Sequence, residues 1–253
     1  MRHLIRKLIM KLENLNLVKK DGGKVSAWDV AAKRNIQDFY RFQLLSATIL
    51  KSDSVFLDIG ANIGEYSRVA LKYISPRNVH MFEPIPRIAD YLRETFSECN
   101  IYEVVCSDSN GNVNFFESNN HELSGLIKRS ESTLPRGTTF EKINVNSVKL
   151  DDFLENVESV TLVKIDVEGS EILVLNGMKQ IIKRHQPIIF VEHGVNGPEY
   201  FGNSSLDLWN LCQDLDYQIF TVDGEFIDDL SVLRDSFTNW PIWNYVLVPQ
   251  SED

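Results

Sequence analysis

From residue 55 onward the hydrophobic and polar positions of the chain fall into two alternating rhythms. Short apolar runs rich in Val, Ile and Phe occupy 55–57, 79–83, 101–107, 161–167, 187–192, 217–222 and 244–248. Bounded by polar and glycine residues, such runs predict buried strands. Between them, 66–73, 86–97, 150–156, 170–185 and 205–215 place apolar residues at helical spacing, which predicts helices with one buried face. Strand and helix in turn predict an α/β fold on a doubly wound, mostly parallel, seven-stranded sheet. The connection ahead of the last run, through Trp240 and Trp243, carries no helical pattern, so the final strand is expected to run antiparallel.

From 109 to 148 this alternation stops. Asn110-Gly111 is a turn signal, 113–116 and 140–148 have strand character, and Gly125, Pro135 and Gly137 punctuate the polar stretch between them. A β-hairpin insertion is expected here, with its tip placed to cover a neighbouring site.

The first strand runs into Asp58-Ile59-Gly60-Ala61-Asn62-Ile63-Gly64, and the second ends at Glu83-Pro84, with Glu83 19 residues beyond Gly64. Strand, glycine turn, helix and then an acid at that distance describe a βαβ unit that offers a carboxylate to ribose hydroxyls. The loop is not the Gly-x-Gly-x-x-Gly that lets backbone press against a pyrophosphate. Asp58, two residues before Gly60, would repel a phosphate and attract a cation. S-adenosylmethionine, whose reactive end carries an ammonium and a sulfonium, therefore fits better than NAD.

Ligands of an open α/β sheet sit beyond the carboxyl ends of its strands. The third run delivers Ser107 and Asp108 there, placed to bond an adenine amino group. The fourth delivers Lys164, Asp166 and Glu168, and the fifth Glu192 and His193. Side chains alternate along a strand, so Lys164, Asp166 and Glu168 share one edge while Ile165 and Val167 face packing. Two readings of this cluster stay open: a salt-bridge network joining Lys164 to Glu168 or Glu171, and a catalytic group.

Composition narrows the partners. The 253 residues, 43% of them hydrophobic, suit one α/β domain of ordinary size. A formal charge of −10 opposes a nucleic-acid partner, which needs a basic face, and leaves small molecules and neutral glycans. Cys99, Cys106 and Cys212 show no Cys-x-x-Cys spacing, so neither a disulfide framework nor a zinc site is expected, and a reducing cytoplasmic compartment follows. Up to Lys24, seven basic residues stand against two acidic ones, while Leu4, Ile5, Leu8, Ile9, Leu12 and Leu15 recur at helical spacing. That is a basic amphipathic helix. Packing on the rest of the chain or on a homodimer partner, and peripheral contact with an anionic membrane, are both open to it. Charges interrupt any apolar core of a signal peptide, and no run is long enough to span a bilayer.

Together, residues 56–64, Phe82-Glu83-Pro84, 150–154, 163–171 with 174–177, Glu192 after an apolar strand, and 244–249 resemble the FkbM-type S-adenosylmethionine-dependent O-methyltransferases. The resemblance implies a class I methyltransferase fold, Rossmann-like, and methylation of a hydroxyl on a sugar, glycan or related small molecule. It also implies that Asp58, Gly60, Asn62 and Gly64, with Ala61 among them, hold the methionine part of the donor, and that Glu83, with Pro84 beside it, holds the ribose. The expected division is a helical extension over 1–50 and a donor-binding domain over 51–253 that carries the insertion.

An alcohol loses its proton as the methyl arrives, so a base must stand beside it. His193, with an ordinary pKa of about 6.5, and Asp166 or Glu192, if desolvated, are the candidates. A second route is a divalent cation such as magnesium on Asp166, Glu192 and His193. Trp28 and His121, in polar segments outside the sheet, are candidate substrate contacts. Two rivals remain on these residues: an NAD-dependent oxidoreductase, favoured by Glu83 and opposed by Asp58, and a non-catalytic donor-binding scaffold.

Overall fold

The computed structural model describes residues 27–128, 134, 136–194, 201–238 and 243–250. The basic segment 1–24, most of the hairpin tip and Trp240 lie outside the described residues. The elements follow in the order α1 (Ala27–Ile49), β1 (Phe56–Ile59), α2 (Glu65–Ala70), β2 (Val79–Phe82), α3 (Pro86–Thr95), β3 (Asn100–Tyr102), β4 (Val105–Cys106), β5 (Gly111–Ser118), β6 (Phe140–Val148), α4 (Leu150–Phe153), β7 (Leu162–Ile165), α5 (Glu171–Gly177), α6 (Lys179–His185), β8 (Ile188–Glu192), α7 (Ser205–Asp214), β9 (Tyr217–Thr221), β10 (Phe226–Ile227), α8 (Leu230–Thr238) and β11 (Asn244–Pro249).

The main sheet has the order β10-β9-β11-β8-β7-β1-β2-β3. Strands β3, β2, β1, β7 and β8 are parallel, and β11 slots antiparallel between β8 and β9. This is the expected doubly wound sheet, with its order reversing between β1 and β7, where a crevice must open. It has eight strands and not seven, because the two-residue β10 folds back on β9. Three further boundaries differ from the sequence reading. The 101–107 run divides after Tyr102: β3 stays in the main sheet, while β4 leaves it to pair with β6. The 170–185 helix breaks at Met178, whose backbone (φ −126°) is not helical. The connection to β11 contains α8, whose helical pattern over 230–238 the sequence reading passed over.

The insertion is a three-stranded sheet in which β5 and β6 pair antiparallel and β4 lies along β6. Val105, Phe115 and Val145 pack on Ile85 and Ile88 of the main body, so the insertion is anchored by its own small core.

Alternation along the strands sorts the main core into two faces. Leu57, Ile59, Val163, Ile165, Ile189 and Val191 turn toward α5, α6 and α7. Phe56, Leu162, Ile188 and Phe190 turn toward α1 and α2. The fully buried Phe42 fastens α1 on that second face, its ring 4.7 Å from Tyr66, 5.3 Å from Phe190 and 5.8 Å from Phe56. Burying such a side chain contributes about 1.5–3 kcal/mol, and it holds the preceding turns of α1 over the crevice.

Candidate active site

The same alternation that buries Phe56 and Leu162 puts Asp58 and Lys164 on the α1 face as cross-strand neighbours. Neither could be buried alone. Asp58, fully buried, accepts a 2.6 Å hydrogen bond from Ser67 Oγ of α2. Lys164 Nζ lies 3.9 Å from Asp58 Oδ1 and 3.2 Å from Asp166 Oδ2, donates to the Gly60 carbonyl at 3.0 Å, and sits over the Tyr66 ring. Burial works to lower its pKa, but the charges of Asp166 and Asp58 outweigh it and the pKa is raised. The ammonium is a fixed internal cation.

Beyond it, at the reversal point of the sheet, lies a cavity of about 720 Å³, within the range of small-molecule and cofactor sites. Its floor is the glycine loop. Gly60 has φ +73°, and a Cβ there would stand 1.8 Å from the Asp166 carbonyl oxygen, so the loop after β1 lies directly on the end of β7. Gly64 has φ +81°, with the Phe96 ring where a Cβ would go. Both positions need glycine for its conformation and for the close approach.

At one end, Glu83 receives the backbone N–H of Asn62 on Oε2 and of Ile85 on Oε1, each at 3.0 Å. Those two bonds leave it lone pairs for further donors. Burial nevertheless raises its pKa to about 7. Beside it, Asn62 Oδ1 is buried without a hydrogen-bond partner, an acceptor waiting for an ammonium or hydroxyl. Ala61, Pro84, Val104, Val105 and Cys106 continue this wall. At the other end stand Asp166, Glu168, Glu192 and Asn244. Burial and the neighbouring Asp166, Glu168 and Glu171 charges raise the Glu192 pKa well above the usual carboxylate range.

Four site expectations are corrected. Asp58 does not line the cavity; it is turned inward to Ser67 and Lys164 and reaches a ligand only through Lys164. Ser107 and Asp108 are outside the lining as well: the Ser107 carbonyl is packed on Gly177 of α5, so closely that a Cβ at Gly177 would be 1.9 Å away. Val104, Val105 and Cys106 take the place expected for them. His193 is fully buried, with Nδ1 3.7 Å from Glu171 Oε2 and Nε2 3.4 Å from the Ser204 carbonyl, and it too is absent from the cavity wall. Asp166, Glu192 and His193 therefore do not converge on a divalent cation, and the Lys164 ammonium already stands beside Asp166. Among the described residues no group of three or more His, Cys, Asp or Glu could hold a metal ion.

Glu168 does reach the cavity, but with φ +59°: the strand ends at Ile165 and the chain turns. Glu171 holds that turn, accepting the backbone N–H of Gly169 at 2.9 Å and of Val167 at 3.3 Å. His121 lines the cavity from the insertion, and its Nδ1 is buried without a partner. Trp28 lies in α1, where its side chain is outside the described set. The wall that sequence reasoning missed is α1 itself, through Asn35, Ile36, Phe39, Tyr40 and Gln43. The period of apolar residues over 36–45 was the available signal.

A family profile described as the methyltransferase FkbM domain matches residues 58–219. The chain is similar to the 2-O-methyltransferase NoeI of Sinorhizobium fredii, 32% identical over 157 residues that cover 56% of this chain and 64% of that protein. It is also similar to the hexuronic acid methyltransferase AglP of Haloferax volcanii, 28% identical over 178 residues that cover 68% of each. The chain thus spans slightly less than two thirds of NoeI. A crystal structure of a methyltransferase FkbM from Methylobacillus flagellatus superposes with a TM-score of 0.48 at 16% identity, covering 87% of this chain and 60% of that one.

Proposed function

The chain belongs to the methyltransferase FkbM family, and we propose that it transfers a methyl group from S-adenosylmethionine to a hydroxyl of a sugar, glycan or related small molecule. The observation that carries this reading is the cavity at the sheet reversal, with Glu83 at one end and Asp166 and Glu192 at the other. Glu83 accepts the ribose hydroxyls, and Asn62 Oδ1 with the glycine loop receives the aminoacyl end. When bound, the donor supplies a methyl on a positively charged sulfur, already activated for in-line displacement. The protein's task is then to align an oxygen about 3 Å from that carbon.

On the acceptor side Asp166 is the base. Its carboxylate is partly exposed to the cavity (29%) and held in place by Lys164. As the new O–C bond forms, the hydroxyl proton passes to Asp166, whose developing loss of charge Lys164 tolerates because Asp58 remains its partner. Burial and the neighbouring Asp166 charge raise the Glu192 pKa well above the usual carboxylate range, which eases the repulsion between these two adjacent carboxylates. His193, held behind the sheet end against Glu171, takes no proton from the acceptor. The name of the hexuronic acid methyltransferase supports a sugar acceptor, and that of the 2-O-methyltransferase supports transfer to oxygen. The same reading has the enzyme working in the cytoplasm, with segment 1–24 giving a homodimer contact or peripheral membrane contact. No helix among the described residues is long and apolar enough to cross a membrane.

The test is Asp166→Ala, assayed with labelled methyl donor and hydroxylated glycosides beside adenosylhomocysteine calorimetry. Transfer should be lost while binding persists within about threefold. Unchanged transfer would remove Asp166 as the base, and NAD binding in place of adenosylhomocysteine would overturn the whole reading.

A further inference from the structure

We infer that the acceptor is an uncharged or amine-bearing polyol and that uronic acids are rejected, a reading that rests on the methyl-transfer function proposed above and specifies its substrate class. The acceptor end of the cavity is acidic at two levels. Asp166, Glu168 and Glu192 line it, while Glu122 of the insertion and Glu65 of α2 are exposed lining residues. Among the described lining residues Lys164 is the single Lys or Arg. It is 3% exposed and already committed to Asp58, Asp166 and the Gly60 carbonyl.

A substrate carboxylate placed here would meet the Asp166 and Glu168 carboxylates and the exposed Glu65 and Glu122, with no available cation among the described lining residues. It would also lose water on entering, a loss repaid only by a partner charge or several hydrogen bonds. A neutral ring meets the opposite conditions. Ile36, Tyr40 and Ile63 at the rim are 56%, 53% and 41% exposed, offering apolar surface and one aromatic face to a sugar's C–H side. His121 Nδ1 and the lining carboxylates then accept or share its hydroxyl protons. An amino group on the ring adds attraction to the same carboxylates.

The test uses the full chain with hexosides, 2-amino-hexosides and hexuronosides on one common aglycone. Each is read twice: as initial rate with labelled methyl donor, and as affinity for the protein–adenosylhomocysteine complex by saturation-transfer NMR. Hexosides and amino-hexosides should exceed the matched uronides at least about tenfold in both readings at low salt, with the gap narrowing as salt screens the exposed rim. Glu122→Lys and Glu168→Gln should each shrink the ratio at least about threefold. Uronides bound and methylated as well as hexosides would overturn the inference, as would a ratio that neither substitution moves. Failure of adenosylhomocysteine to bind at all would instead overturn the methyl-transfer reading beneath it.

Discussion

Lowering the pH from 8 to 6 should loosen adenosylhomocysteine about tenfold if Glu83 is the ribose acceptor. The magnitude follows from the geometry. Glu83 already accepts two backbone N–H groups, which favour its charged form, but burial dominates and its pKa stands at about 7. Ribose hydroxyls donate to the carboxylate and not to the acid, so binding selects the ionised form. That form makes up about nine-tenths of the population at pH 8 and about one-tenth at pH 6, a difference of about 1.4 kcal/mol in apparent affinity. At pH 7 about half a proton should leave per ligand bound. Calorimetry in two buffers of different ionisation enthalpy measures both quantities. Glu83→Gln should lose about 1.5–3 kcal/mol of affinity, the worth of hydrogen bonds to a charged group, and its binding should be flat with pH. Asp58 also titrates near this range, at about 6, but it lies outside the cavity, so a slope that survives in Glu83→Gln would refute the assignment. So would wild-type binding that releases no proton between pH 6 and 8.

Three further outcomes are expected. Gly60→Ala forces a Cβ into the Asp166 carbonyl at a left-handed backbone position, so urea unfolding should show at least about 2 kcal/mol of lost stability together with weakened donor binding; an unchanged midpoint would contradict the packing described. Lys164→Met leaves Asp58 buried with Ser67 alone. Because the folded pKa of Asp58 lies above its unfolded value, its contribution to stability already falls as pH rises from about 4 through 6; without Lys164 that decline extends higher. The loss should be about 3–5 kcal/mol at pH 8 and smaller at pH 5, and equal losses at the two pH values would refute it. Glu171→Gln weakens the turn that carries Glu168, so kcat should drop about tenfold or more through misplacement while adenosylhomocysteine affinity changes by less than about threefold; a change confined to affinity would assign Glu171 to the donor instead.

The strand and helix rhythm was readable because the central strands β1, β7 and β8 are buried on two opposed faces, which makes runs such as 161–167 and 187–192 largely apolar. That Gly60, Asn62 and Glu83 line one cavity was readable for a related reason: they are adjacent in sequence to strands whose ends meet. What the pattern could not supply was orientation. Asp58 and Ser107 occupy strand ends as expected, yet Ser67 and Gly177, from elements later in the chain, decide that one faces inward and the other packs on α5. His193 is likewise claimed by Glu171, 22 residues before it. Periodicity marks α1 as a helix but says nothing of where it docks, and the docking of Phe42 on Phe56 and Phe190 is what turns residues 35–43 into a cavity wall. The split of 101–107 into two sheets depends on β6, a partner some forty residues downstream.

Asn244 of β11 donates a hydrogen bond to Asp38 of α1 across 206 positions of the chain. The strand it belongs to is the wedge that joins β8 to β9. Both strands it joins precede it in the chain, so until β11 is made Phe190 and Val191 stand on an open sheet edge and α1 lacks the Asn244 hydrogen bond. A polypeptide that has made β8 and β9 but not yet β11 therefore carries a half-built site and an aggregation-prone border, which β11 closes from both sides.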